Sequence, residues 1–560
     1  MSLIGGRFCP TWFKRGMCVT PRMGCSPNWE LVLGVALLIL LGGAAYGLAG
    51  TVVGGNVNGV WDLPGSPYWV EGDLVVQSGS VLTIQPGVEV RFRGAYRLLV
   101  NGALHASGTA QDSIIFTWDS PISQDEWRGI RFVRSDSTSI LEYCRIEHAR
   151  AASQFPDVRG GAVYCFLSSP TVSHCLIQYN ISHNSNWNGT GGGVVSVNAW
   201  PLIEHCIICD NQADSGGGIA FLEDQSDTSG QPVVRDCLLK DNVAPYCGGG
   251  IYVGAFSTPV IENNIISGNA AGGFGGGGIA LWSSNSLHLR TVSNNIISGN
   301  RTSTDGGGIY IRYDSSLLVN NTIVGNSADS TGGGVYVLNF GGEDSPQLVD
   351  AIIWGNSASR GSSVFLIDAS TQVEITYSDV EGSWPGTGNM NQSPLFADAL
   401  FHVSAGSPCI DAGDPGVTYN DQCFPPSQGT VRNDMGAYGG PLGCVWNQSC
   451  AGVPRPQPDE IPNRIPSGGG LYVSNTPNPF SSATEIQFDL PRSGVVDLAV
   501  YDVRGRQVRG LLAGALLPAG VNSLVWDGRG DSGAKVAPGI YLCRIRAAGG
   551  DGQAKMLLLE

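Results

Sequence analysis

The stretch CLIQYN, Cys175 to Asn180, returns as CIICDN (Cys206 to Asn211), CLLKDN (Cys237 to Asn242), NIISGN (Asn264 to Asn269), NIISGN (Asn295 to Asn300), NTIVGN (Asn321 to Asn326) and AIIWGN (Ala351 to Asn356). A degenerate copy, CRIEHA, begins at Cys144. The closing asparagines lie 31, 31, 27, 31, 26 and 30 residues apart, the mark of a stacked repeat. Between the copies, glycine clusters open a second apolar run: GGAVY at Gly160, GGGVV at Gly191, GGGIA at Gly216, GGGIY at Gly248, GGGIA at Gly276, GGGIY at Gly306 and GGGVY at Gly332.

Aligned copies give columns with physical meaning. Ile146, Ile177, Ile208, Leu239, Ile266, Ile297, Ile323 and Ile353 form one apolar column, and Leu141, Val172, Ile203, Val234, Ile261, Val292, Leu318 and Leu348 another. Their offset is odd, so one straight strand of period two cannot point both inward and a corner must separate them. Short strands, corners and a period near 30 describe coils of a parallel β-helix stacked at ~4.8 Å. Helical solenoids are excluded by the missing 3.6-residue spacing and by the glycine triplets. Asn180, Asn211, Asn242, Asn269, Asn300, Asn326 and Asn356 form a predicted amide ladder at a bend. Cys144, Cys175, Cys206 and Cys237 form a second column, continued by Asn264, Asn295 and Asn321 and expected to be stacked buried thiols.

Composition agrees. The 560 residues include 80 glycines and 31 prolines, with 42% hydrophobic and only 14% charged residues, which excludes a coiled coil or a charged linker protein and predicts a folded, turn-rich β chain. A net charge of −16 excludes the basic footprint of a nucleic-acid binder and disfavours anionic membranes.

These repeats resemble right-handed parallel β-helix proteins of the pectate-lyase-like type, and the glycine-triplet variety is similar to the repeats of polymorphic outer-membrane proteins. The likeness covers Val57 to Leu400. Upstream, GDLVVQSGSVLTIQPGVEVRF (Gly72 to Phe92) and LLVNGALHASGT (Leu98 to Thr109) resemble the first coils and cap of such chains; downstream, SPLFADALFHVSAGSPCIDAGDP (Ser393 to Pro415) and DMGAYGGP (Asp434 to Pro441) resemble their closing segment.

At the start, Leu31 to Leu41 (LVLGVALLILL) follows Arg7, Lys14, Arg15 and Arg22 and precedes Gly47-Leu48-Ala49, the anatomy of a signal peptide over residues 1–49. Membrane contact is then expected only through that segment before cleavage, with the mature chain secreted or on the outer cell surface. Export admits disulfides. Of fifteen cysteines, Cys9, Cys18 and Cys25 leave with the signal, and Cys409, Cys423, Cys444 and Cys450 are disulfide candidates with three connectivities open. The Cys206 and Cys209 pair spells C-x-x-C without a second pair at metal-site spacing, so no metal site is expected.

Residues 50–450 are read as the β-helix with its cap and Cys-rich closing segment, and 451–470 as a Pro/Gly linker. Residues 471–560 alternate as an antiparallel, Ig-like β-sandwich. There, NPF at Asn478, YDVRGRQV at Tyr501, VWDGRGDSG at Val525 and PGIYLCRI at Pro538 resemble the C-terminal sorting domain of type IX secretion substrates and the Ig-like domain of flagellar hook-capping proteins. That resemblance implies outer-membrane secretion machinery as a partner of residues 471–560. The Arg529-Gly530-Asp531 tripeptide reads as a glycine-rich turn.

For chemistry, a lyase on this fold would need carboxylates holding calcium plus an Arg or Lys base, and a hydrolase would need paired acids. The best charged set is Glu204, Asp210, Asp214, Arg235, Asp236, Lys240 and Asp241, with Glu204, Asp210, Arg235, Asp236 and Asp241 as catalytic candidates. In later coils the same positions hold Glu262, Asn263 and Ser267, then Ser293, Asn294 and Ser298, so the charges read as solvent-facing variation. His174 and His205 read as a stacked surface pair. Trp187, Trp200, Trp282 and Trp354 fall in or beside loops, where indoles stack on sugars or cap coil edges. The expectation is an all-β chain, a solenoid followed by a small sandwich, that serves adhesion or carbohydrate binding, with polysaccharide or cell-surface glycan as partner, without catalysis or cofactor. A polysaccharide lyase or hydrolase, the former with calcium, and a passive surface spacer are the alternatives.

Overall fold

The structure, a computed structural model, describes residues 50–558 apart from 120–125, 153–158, 183–188, 224–229, 284–289, 340–344, 369, 447–472 and short gaps at 477–479, 491–493, 503–505, 518–519, 538 and 548–549. The expected signal segment, Cys450 and Trp187 lie outside the described residues. No α-helix occurs among those described, and none is long and apolar enough to cross a membrane.

From Thr51 to Val380 the chain winds as a right-handed parallel solenoid. A full coil has four short stretches, as in Val163–Phe166, Thr171–Ser173, Leu176–Gln178 and Ile181–Ser182. The first stretch follows the glycine cluster, and its stack is called the glycine sheet below. The second builds a 12-stranded parallel sheet, the third carries the recurring hexapeptide, and the fourth belongs to a 7-stranded sheet. The glycine and hexapeptide stacks join only near the N-terminal end, through Tyr68–Val76.

The corner demanded by the odd offset lies between the second and third stretches. Its residues take left-handed backbone angles: His174, His205, Asp236, Asn263, Asn294, Asn320 and Asp350 have φ between 51° and 58°. Asn, Asp and His are the non-glycine types that enter this region most readily, which explains the column's composition. A second left-handed corner follows the hexapeptide strand, at Tyr179, Asp210, Asp241, Gly268, Gly299, Gly325 and Gly355.

Both ladders follow these corners. Asn211 Oδ1 accepts from the Asn180 backbone N–H and from Asn180 Nδ2, each at 3.0 Å, while Asn180 Nδ2 also donates to the Ile146 carbonyl. The pattern repeats to Asn356. In the other ladder the sulfur does the same work: Cys206 Sγ accepts from the Cys175 N–H and Cys237 Sγ from the Cys206 N–H, both at 3.4 Å, and Asn264 Oδ1 takes over beneath Cys237 at 2.9 Å. Cys144, Cys175, Cys206 and Cys237 are free, buried thiols. These groups satisfy buried backbone amides that no strand reaches.

One glycine triplet shows why the motif recurs. Gly276 has φ +72°, and a Cβ on Gly277 or Gly278 would stand 2.4 Å or 2.7 Å from the carbonyl of the next coil's Gly307 or Gly308. The first glycine is required by angle, the other two by close approach of stacked coils.

Residues 393–446 form a strap that runs back over the outward side of the hexapeptide strands. Asn320 Nδ2 donates to the carbonyls of Asp434 and Gly436, and Asn294 Nδ2 to those of Ala437 and Gly439. Beneath the strap, outward Ile296 and Ile352 are 2% and 1% exposed, whereas their counterpart Ile207, three coils before Ile296, is 45% exposed. The solvent-facing reading fails in these coils, since the strap leaves Ser293 and Asn294 buried, and Glu262 and Asn263 are buried too. A Cys423–Cys444 disulfide ties the strap to itself. The disulfide expectation does not hold for Cys409: it is a buried free thiol whose Sγ donates to Asp379 Oδ2 at 3.5 Å.

Val473–Leu558 forms a separate antiparallel sandwich of a three-stranded and a four-stranded sheet around Trp526, Phe488, Ile545 and Met556. Its Asp531 Oδ1 accepts from the Gly510 N–H and Arg529 Nη1 donates to the Gly533 carbonyl, so the tripeptide is part of a hairpin.

Candidate functional site

The charged set does not converge. Glu204 and Arg235 sit side by side on the 12-stranded sheet and neutralise each other, with Arg235 Nη2 2.7 Å from Glu204 Oε2. Asp236 stands at the first corner, 3.9 Å from His205 Nε2. Asp210 and Asp241 stand at the second corner, and Lys240 lies 3.3 Å from Asp241. Asp236 and Asp241 thus bracket opposite ends of the strand Leu238–Lys240. Asp214 is buried, accepting the Gly189 N–H. His174 stacks between Tyr143 and His205, with ring centroids at 4.6 Å and 4.8 Å. Among the described residues, no three His, Cys, Asp or Glu are grouped to hold a metal ion.

The tryptophans separate. Trp354 packs near Cys409 and Met435 beneath the strap, so it is not offered to a sugar. Trp200 lies against Gly230, whose Cβ would meet the indole at 2.7 Å. Trp282 alone joins a larger aromatic assembly.

That assembly is the outward side of the glycine sheet. Register places Tyr164, Val195, Ala220, Tyr252, Ala280, Tyr310, Tyr336 and Phe365 in one outward column. Phe166, Val197 and Leu222 belong to the neighbouring one, where Trp282, Arg312 and Leu338 follow in later coils. Tyr310 and Tyr336 stack at 5.0 Å, and Tyr336 and Phe365 at 6.0 Å. Loop residues add edges: Tyr246 meets Phe274 at 4.9 Å, and Phe274 meets Trp282 at 5.2 Å. The Arg312 guanidinium carbon lies 4.1 Å from the Trp282 ring centroid, 5.0 Å from Tyr313 and 5.8 Å from Phe274. Burial raises the Tyr252, Tyr310 and Tyr336 phenols, Tyr336 to about 12, so all three are neutral at physiological pH.

The wall beside this face is knotted by Arg290. It pairs with Asp314 and donates to the carbonyls of Gly254, Ala255 and Ser257, and at 3.4 Å to that of Trp282. Burial lowers its pKa to about 9. A separate recess of 420 Å³ lies where the asparagine ladder stops, lined by Asn356, Ser362, Ser363, Val380, Glu381 and Trp384, with one carboxylate and no partner base.

Sequence reading found Trp282 but not Arg312, Tyr252, Tyr310 or Tyr336. The available signal was the residue two or four places after the last glycine of each triplet, which strand alternation sends outward. It also missed the buried acids of the strap and of the coils beneath it. Burial raises Asp350 and Asp421 to about 8 and Asp379 and Asp434 to about 6.

Comparison with known proteins follows the two folded parts. The family model described as right handed beta helix region matches residues 128–291, and that described as FlgD Ig-like domain matches residues 474–551. Protein bark beetle of Drosophila melanogaster is 36% identical over 66 residues, which is 12% of this chain; the chain spans 2% of that protein's length. The solenoid therefore carries a right-handed β-helix region of pectate-lyase-like fold, and the C-terminal sandwich carries a FlgD-type Ig-like module.

Proposed function

We propose that this protein is a non-catalytic, glycan-binding β-helix displayed outside the cell, with the outward glycine-sheet face as its binding surface. The observation that carries the reading is the half-buried set Tyr252, Trp282 and Phe365 with the exposed Phe274 beside it, packed on Tyr310 and Tyr336, which are themselves buried at 3% and 5% exposure. Flat aromatic edges carried on neighbouring coils suit the apolar faces of sugar rings. The reading needs no metal ion; calcium belongs to the lyase alternative. Export is proposed to use the apolar run Leu31 to Leu41 and then residues 471–560 as a sorting unit.

The test is retention of the purified chain on neutral and acidic polysaccharides, with and without calcium. Retention without bond cleavage is expected. Release of unsaturated or reducing ends would replace binding with lyase or hydrolase action, and no retention at all would leave a spacer. For export, deleting residues 471–560 in the native host should abolish surface display; persistent display would remove that part of the reading.

A further inference from the structure

We propose that Arg312 makes the glycine-sheet face selective for anionic sugars, bearing a carboxylate or a sulfate ester. This rests on the glycan-binding reading above. The first observation is one of charge. Across the glycine-sheet strands from Leu98–Val100 to Val364–Leu366, the outward side chains include Arg131 and Arg312 and no Asp or Glu. The chain as a whole carries 47 acidic residues against 31 basic ones, so a face free of strand carboxylates stands apart from the rest of the molecule.

The second observation concerns Arg312 itself. Several solenoid arginines are matched by carboxylates, Arg93 by Glu71 and Asp119, Arg97 by Asp73, Arg235 by Glu204 and Arg290 by Asp314, whereas Arg134 and Arg360 lie, like Arg312, over a ring. Arg312 has rings around it and no ion pair among the described residues, and its Nε is buried without a hydrogen-bond partner. A buried guanidinium donor costs free energy until an acceptor reaches it. Stacking on Trp282 uses the flat face of the guanidinium and leaves its edge, a planar fork that fits a carboxylate or sulfate in two parallel hydrogen bonds. Trp282 and Phe274 stand on the same side for the sugar ring that carries the anion. Rings and cation are therefore placed to read one residue of a polymer twice, by shape and by charge.

The experiment compares the full chain with Arg312→Gln, Arg312→Lys and Trp282→Ala variants, using alginate, dextran sulfate and neutral dextran as probes at low and high salt. Native protein should retain at least one acidic probe about tenfold more tightly than dextran, with the difference shrinking in salt. Arg312→Gln should erase the preference between acidic and neutral probes, Arg312→Lys should keep part of it, and Trp282→Ala should weaken all probes. Preference for alginate alone assigns the carboxylate, and for dextran sulfate alone the sulfate. Equal retention of acidic and neutral probes, or a preference unchanged in a folded Arg312→Gln variant, would overturn the proposal while leaving glycan binding intact. No retention of any probe would overturn the glycan reading, and this inference with it.

Discussion

Two outward faces of one solenoid can be compared strand by strand. On the hexapeptide face, Ile296, Thr322 and Ile352 lie under residues 393–446, and the corner groups Asn294, Asn320 and Asp350 each bond to the strap. On the glycine face, Tyr252, Trp282, Tyr310 and Tyr336 meet loops and one another, and Arg312 keeps an unpaired Nε. Both faces depart from the solvated outer side of an ordinary sheet, for different ends. Where the chain covers its own surface, it supplies partners for the corner amides and the Asp350 carboxylate, though Ser293 Oγ and Trp446 Nε1 stay unmatched; where a guanidinium Nε is left unmatched among rings, the surface is proposed to meet something else.

The comparison breaks in graded ways. The largest effect belongs to the frame behind both faces. Asn269→Ala strands the Asn242 N–H and amide in the interior and should cost about 4 kcal/mol, measured by chemical denaturation. Cys206→Ala, which removes a weaker acceptor, should cost about 1–2 kcal/mol, and the gap between the two measures how far sulfur substitutes for amide.

On the strap face alone, Cys423→Ser opens a 21-residue loop and should cost about 3 kcal/mol without changing glycan retention. The strap should also respond to pH. Burial raises Asp350 and Asp421 to about 8 and Asp379 and Asp434 to about 6, above the ~3.9 of an unfolded aspartate. The folded state therefore holds protons that the unfolded state has released. Stability should be greatest near pH 4 and fall as pH rises toward 8, the reverse of ordinary acid denaturation. Asp350→Asn should flatten that slope; denaturation midpoints at pH 4.5, 6 and 8 check it. The smallest effect is local: Tyr179→Gly relieves a left-handed corner at φ 57°, where later coils already use glycine, and should gain under about 1 kcal/mol in the same assay.

Legibility in the sequence divides along the same line. The columns at Ile146 and Leu141, the corner between them and both ladders follow from spacing, because each coil repeats the same constraint and errors average out. The strap does not repeat. Its contacts join Asn294 and Asn320 to residues more than a hundred positions away, and nothing local in DMGAYGGP says which coils it crosses. The same blindness made Cys409 a disulfide candidate: proximity to other cysteines in sequence says little about a thiol that tertiary packing turns toward Asp379. Arg312 was hidden for another reason. In its column the predecessors are Leu222 and Trp282, so it looks like variation until register places its guanidinium over the indole.

The most direct test of the account is equilibrium binding of a polysaccharide that the native chain retains, measured for native protein and Trp282→Ala side by side with their denaturation midpoints. The account predicts at least a tenfold loss of affinity with little change in midpoint, since Trp282 is half-buried at the end of its strand. Undiminished affinity in a folded Trp282→Ala protein would contradict it and move the ligand to another face.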